Sequence, residues 1–155
     1  MAAAEQTSTK TVAAGTLNVQ ASAGYVKETG TKKGLGVFAS RKILQGETVE
    51  VCPVLVLRNP TYQLPASIAD RVFCWGHLTG GVQVDCLALG WGSIYNHANS
   101  ANMRFAADEK SEFLTFVAVR DIEAHEELTI NYNGDRGEPT STSGDWFSDR
   151  DIDPI

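Results

Sequence analysis

A mostly β fold of several small sheets with little helix is what this chain predicts, on three observations. Runs rich in Val, Leu, Ile and Phe recur at strand length between Gly, Pro and Asn clusters. One strand–turn–strand pattern occurs twice, and no long amphipathic helix is written anywhere. In order, Val49–Leu57 reads as a strand, with Pro53 expected to demote part of it to a sheet edge because proline cannot donate to the ladder. Pro65–Phe73 is the one helical candidate, with Ser67 and Asp70 at capping-box spacing. Val82-Gln83-Val84-Asp85 alternates after a Gly80-Gly81 turn, and Phe113–Val119 reads as a buried strand. Glu127–Tyr132 contains the last strong strand.

The repeated pattern runs Ala39–Val49 and again Ala118–Leu128. Each copy is a strand end, an Arg-x-Ile turn and an acidic residue opening the next strand. Gly46 suits a position of positive φ, and His125 at the matching place must adopt it too. A common turn used twice and a true internal symmetry are equally good accounts.

At 155 residues the chain is one domain, long enough to bury a core without staples. Residues 1–24 hold few large apolar side chains and no basic start with an apolar run, so a disordered arm is expected rather than a secretory signal. Residues 25–134 form the folded domain, and 135–155 an acidic tail. No apolar run approaches the roughly 20 residues a membrane helix needs. Cys52, Cys74 and Cys86 are widely spaced with no C-x-x-C, which supports neither a zinc site nor a disulfide framework and fits buried thiols in the cytoplasm. The net charge of −6 argues against direct nucleic-acid binding. In the tail, Asp135, Glu138, Asp145, Asp149, Asp151 and Asp153 face only Arg136 and Arg150, a charge that solubilises or attracts a basic protein.

Three segments carry chemistry. Gly34-Leu35-Gly36 allows close backbone approach to a ligand, yet lacks the third glycine and following helix of a dinucleotide site; alone it reads as a turn. Asn96-His97, followed by Ala98-Asn99-Ser100-Ala101-Asn102, supplies an amide and an imidazole that suit either a buried loop junction or a ligand edge. Tyr132 closes the last strand, where a lone tyrosine is ordinarily a core or rim residue.

In this order and spacing the three segments resemble those of the SET-domain protein lysine methyltransferases, over roughly Tyr25–Gly134. The resemblance implies the β-clip-like SET fold, with Asn96-His97 passing beside the strand before Tyr132 in a knot-like threading. It implies S-adenosylmethionine as cofactor, held by Gly34, Leu35, Gly36, Asn96 and His97, and a protein substrate presenting a lysine. Tyr132 falls at the family's catalytic position, and Phe105 and Ile130 where family members vary the channel lining. The family's Asn-His-Ser and Pro-Asn pattern is departed from at Ala98 and Ala101, which leaves a catalytically inactive SET-like binding module as the alternative. The chain looks most like the short bacterial versions and has no cysteine after Cys86 for the zinc cluster that follows the Tyr in many members. Trp146-Phe147 takes its place: Trp146 or Phe147 could cover the adenine, or a second copy in a homodimer could supply the lid.

Overall fold

The computed structural model describes residues 19–58, 64–134 and 137–140. In chain order these hold β1 (Gly24–Glu28), β2 (Leu35–Ala39), β3 (Thr48–Leu57), α1 (Ala66–Ala69), β4 (Val72–Cys74), α2 (Trp75–Thr79), β5 (Asp85–Ala88), β6 (Asn96–His97), β7 (Met103–Asp108), β8 (Phe113–Ala118) and β9 (Glu127–Ile130). The fold is mostly β, in a four-stranded sheet ordered β1-β2-β9-β6 and a five-stranded sheet ordered β4-β5-β3-β8-β7. Hydrogen bonding begins ahead of Tyr25: Gln20 bridges Val51, and the Ala23 N–H donates to Val49 O.

Each difference from the sequence reading has a local cause. Pro53 sits inside a sheet rather than at its edge. Residues up to Pro53 pair with β8 and those from Val54 pair with β5, so the proline falls where β3 changes partners. The helix of 65–73 stops at Ala69 with no side-chain cap, and Val72-Phe73-Cys74 leaves to pair with β5. A second helix, α2, was not foreseen. Gly80 is its left-handed C-cap (φ 76°), not the first residue of a hairpin turn. Val84 O accepts the Trp75 and Gly76 N–H groups, so the strand expected at 82–85 starts only at Asp85, and Val82 is 80% exposed.

The repeated turns pack against each other. Ile43 and Ile122 exchange both backbone hydrogen bonds at 2.9 Å. Gly46 N–H donates to Ala118 O, and His125 N–H to Ala39 O, both at 2.8 Å. Gly46 and His125 have φ of 82° and 69°. Arg41 pairs with Glu47 as Arg120 pairs with Glu126, and both isoleucines are wholly buried. The two copies are thus equivalent in bonding as well as in sequence. Around them Val37, Val49, Met103, Leu114, Phe116 and Leu128 form the fully buried centre of the core.

Candidate active site

β9 is the spine of the site. Leu128, Thr129 and Ile130 are all buried, so both faces of the strand are covered. β2 pairs with it on one side (Val37 opposite Leu128), and β6 on the other, with Asn96 opposite Thr129 and His97 opposite Ile130. The β6–β9 pair is the one parallel pairing among the described strands. Asn102 locks the loop between β6 and β7 to the same strand: its amide nitrogen donates to Glu127 O at 2.7 Å, and its oxygen accepts the Thr129 N–H at 2.9 Å.

That arrangement gathers all three segments. Asn96 Nδ2 donates to Leu35 O (3.0 Å) and to Glu127 Oε1 (2.8 Å). A Cβ on Gly36 would lie 2.7 Å from Glu127 Oε1 and 3.1 Å from Asn96 Nδ2, so a glycine is what lets this amide cross β2. Gly34 takes φ 70° in the turn before it. His97 Nδ1 accepts the Tyr132 N–H at 3.1 Å, the rings lie 5.5 Å apart, and Lys33 Nζ donates to His97 O. Buried Asn131 turns the chain by accepting the Asn133 N–H at 2.9 Å. Tyr132 then points its hydroxyl at Tyr95 O, donating at 2.7 Å. Burial pushes its phenol up to about 12, with Glu127 adding to the rise and Arg71 opposing it.

Tyr132 is shared by two cavities. One, of about 110 Å³, is mostly apolar, with Val72, Phe73, Leu78, Tyr95 and Phe105 in its wall. The other, of about 270 Å³, is more polar and is lined by Lys33, Leu35, Ser67, Ile94 and Asn96. Asp70, Arg71 and Ser93 border both.

Of the residues singled out from the sequence, Leu35 and Asn96 line the polar cavity and Phe105 the apolar one. Ile130 lines neither. It is wholly buried in the core, because β9 has no face open to a cavity. Trp146 lies outside the described residues. Ala98 and Ala101, which depart from the resembled pattern, are held by their backbones: the Ala98 N–H donates to Ile130 O and the Ala101 N–H to Pro139 O, both at 3.0 Å. Tyr95, Ser93 and Arg71 were not expected. Tyr95 and Ser93 adjoin Asn96 in sequence and could have been suspected on that ground; nothing around Arg71 marks it. Among the described residues no group of His, Cys, Asp and Glu is placed to hold a metal.

Residues 34–133 match the model of the SET domain. A curated Schizosaccharomyces pombe relative, the histone-lysine N-methyltransferase specific for lysine 37 of H3, is 30% identical over 104 residues, covering 65% of this chain and 67% of that protein. Solved structures share the fold. A Plasmodium falciparum protein crystallised as a candidate histone methyltransferase is 24% identical, with a TM-score of 0.55, over 72% of this chain and 97% of its own. The methyltransferase domain of the human histone-lysine N-methyltransferase SETMAR is 22% identical, with a TM-score of 0.53, over 71% of this chain and 44% of its own. The family match and the curated relative make this chain an S-adenosylmethionine-dependent protein-lysine N-methyltransferase. The chain belongs to the SET-domain family.

Proposed function

We propose that the polar cavity takes S-adenosylmethionine, that the apolar cavity takes the substrate lysine, and that Tyr132 aligns the amine between them. The single observation that carries this reading is that Tyr132 borders two cavities of opposite polarity. The donor set fits the cofactor. Lys33 and Arg71 suit its carboxylate, Asp70 its ammonium, and the Gly34–Gly36 segment and Asn96 give the close polar approach a zwitterion needs. When bound, S-adenosylmethionine supplies an electrophilic methyl on a cationic sulfonium.

The residues then divide the work. The wall of Phe73, Phe105 and Leu78 disfavours an ammonium ion, so lysine reacts as the neutral amine. With its pKa pushed up to about 12, Tyr132 keeps its proton and acts as a hydrogen-bonding group rather than a base. Its proton goes to Tyr95 O, and the hydroxyl oxygen is the atom that accepts an amine N–H and turns the nitrogen lone pair toward the methyl. Alignment of this kind is worth up to about 7–11 kcal/mol in well-oriented reactions. His97 acts through the Tyr132 backbone and Asn96 through Leu35 and Glu127.

The substrate is a basic protein, histone H3 being the first to try, since the Schizosaccharomyces pombe relative acts on H3. Trp146, or a second copy of the chain, covers the adenine. A cytoplasmic setting, where thiols stay reduced, suits Cys52 and Cys86, which are buried and free with their pKa raised to about 12. Calorimetry with S-adenosylmethionine is the test: micromolar binding is expected, and no binding at millimolar cofactor would overturn the reading.

A further inference from the structure

We propose that Glu50 is a positioning residue for methyl transfer, acting through Tyr95 to fix the group that accepts the Tyr132 hydroxyl. This rests on the reading of Tyr132 as the residue that aligns the amine.

The case begins with β3. Glu50 falls in its buried row with Cys52, Val54 and Val56, while the irregular ladder to β8 between Thr48 and Glu50 brings the neighbouring Val49 into the core as well. That row carries a carboxyl into the core, where it is 2% exposed and desolvation raises its pKa. Burying a carboxyl is costly unless it is hydrogen-bonded. Glu50 accepts the Trp91 N–H at 2.9 Å through one oxygen and the Tyr95 hydroxyl at 2.7 Å through the other. Gly90, at φ 140°, leaves the space it fills; a Cβ there would overlap its Oε1.

Residues 90–95 therefore have two working sides. Glu50 grips one side at Trp91 and at the Tyr95 hydroxyl, itself 2.8 Å from Ser22 Oγ. The other side carries Gly92 and Ser93 in the cavity wall and Tyr95 O, which accepts the Tyr132 hydroxyl. The Tyr95 ring packs 4.9 Å from Phe116, so side chain and carbonyl move as one body. The chain Glu50–Tyr95–Tyr132 is continuous. An apolar residue at position 50 would fill that space at lower desolvation cost.

The test uses the full chain with Glu50→Ala, Glu50→Gln, Tyr95→Phe and the double variant Glu50→Ala/Tyr95→Phe. Initial rates of transfer from radiolabelled S-adenosylmethionine to histone H3 give kcat and KM. Amide exchange is followed at Ile94 and Tyr95, whose N–H groups donate to Trp91 O at 2.8 and 3.2 Å. Glu50→Ala and Tyr95→Phe should each lower kcat about 10- to 100-fold, the range for a misplaced reacting group, with the KM for cofactor little changed. Glu50→Gln should restore most of the rate, and the double variant should be no slower than Glu50→Ala, because both cut one chain. Exchange at Ile94 and Tyr95 should quicken in Glu50→Ala while Leu114 and Phe116 stay protected. Wild-type kcat in folded Glu50→Ala, a loss confined to KM, additive losses in the double variant, or unchanged exchange would each overturn the proposal. If Glu50→Ala does not fold, Tyr95→Phe decides by the same kcat criterion. A wild-type protein that methylates no lysine overturns the functional reading instead, and the exchange data still decide whether Glu50 holds the loop.

Discussion

Replacing Tyr132 by Phe separates the hydroxyl from the ring. The ring's place beside His97 and in the cavity wall is kept, and the 2.7 Å bond to Tyr95 O is lost. One buried hydrogen bond is worth about 1 kcal/mol of net stability. A domain of this size has about 5–15 kcal/mol in hand, so the folded fraction hardly changes. Turnover should respond differently. A hydrogen bond that orients a reacting group is worth about 2.7 kcal/mol of barrier, or about 10²-fold in rate. The two effects are read apart by urea unfolding and by transfer of labelled methyl to histone H3 under cofactor saturation. Wild-type turnover in a folded Phe variant would refute the mechanism: some other group would then have to align the amine. A rate loss matched by an equal loss of folded protein would refute it as well.

Four further outcomes are expected. In Gly36→Ala the new Cβ displaces only side-chain ends, Glu127 Oε1, a Thr29 methyl and Asn96 Nδ2, so the melting temperature should hold while calorimetric affinity for S-adenosylmethionine falls about 10-fold or more. His97→Ala removes the acceptor of the part-buried Tyr132 N–H and should weaken cofactor binding by about 1–3 kcal/mol; an unchanged dissociation constant would make His97 purely structural. Glu126 is held below its ordinary 4.5, first by its hydrogen bond to Arg120, so its stabilisation is complete above that value and is lost as pH falls through the lowered pKa; Glu126→Gln should flatten the acid limb of the stability–pH curve below about pH 4.5. A chain ending at Thr140 keeps Pro139 O, which accepts from Ala101 and Asn131, so it should fold yet bind cofactor more weakly if Trp146 is the lid; equal binding would remove that role.

Legibility from sequence followed how local each cause was. The repeated turns were readable because each needs only its own residues: an Arg, an isoleucine and a residue that tolerates positive φ. The pairing of the two turns across Ile43 and Ile122 was not written in either copy. Pro53 was misread for the same reason. Its missing N–H is harmless because β8 and β5 change places there, and that is a property of partners far away in sequence. Val72-Phe73 looked helical only until β5 offered that stretch a ladder. Asn96, His97 and Tyr132 were singled out through their motif, whereas Glu50 and Arg71 were not singled out at all. A lone acid in a strand and a lone arginine after a short helix carry no pattern until Trp91 and Tyr95 meet the one and the cavity receives the other.

The convergence on β9 explains why the motifs need their spacing. Gly36 must sit on the strand that pairs with β9, so that Asn96 can reach across to Leu35 O and Glu127. Asn96-His97 must run parallel to β9, so that Nδ1 of His97 meets the N–H of the residue two beyond the strand's end. A parallel pair needs a crossover, and β7 and β8 with their turns supply it. Asn102 then carries the strain of register: it bonds Glu127 O and the Thr129 N–H, and a slip of one residue would break both bonds at once. Tyr132 is therefore positioned by strand pairing before any ligand contact is made.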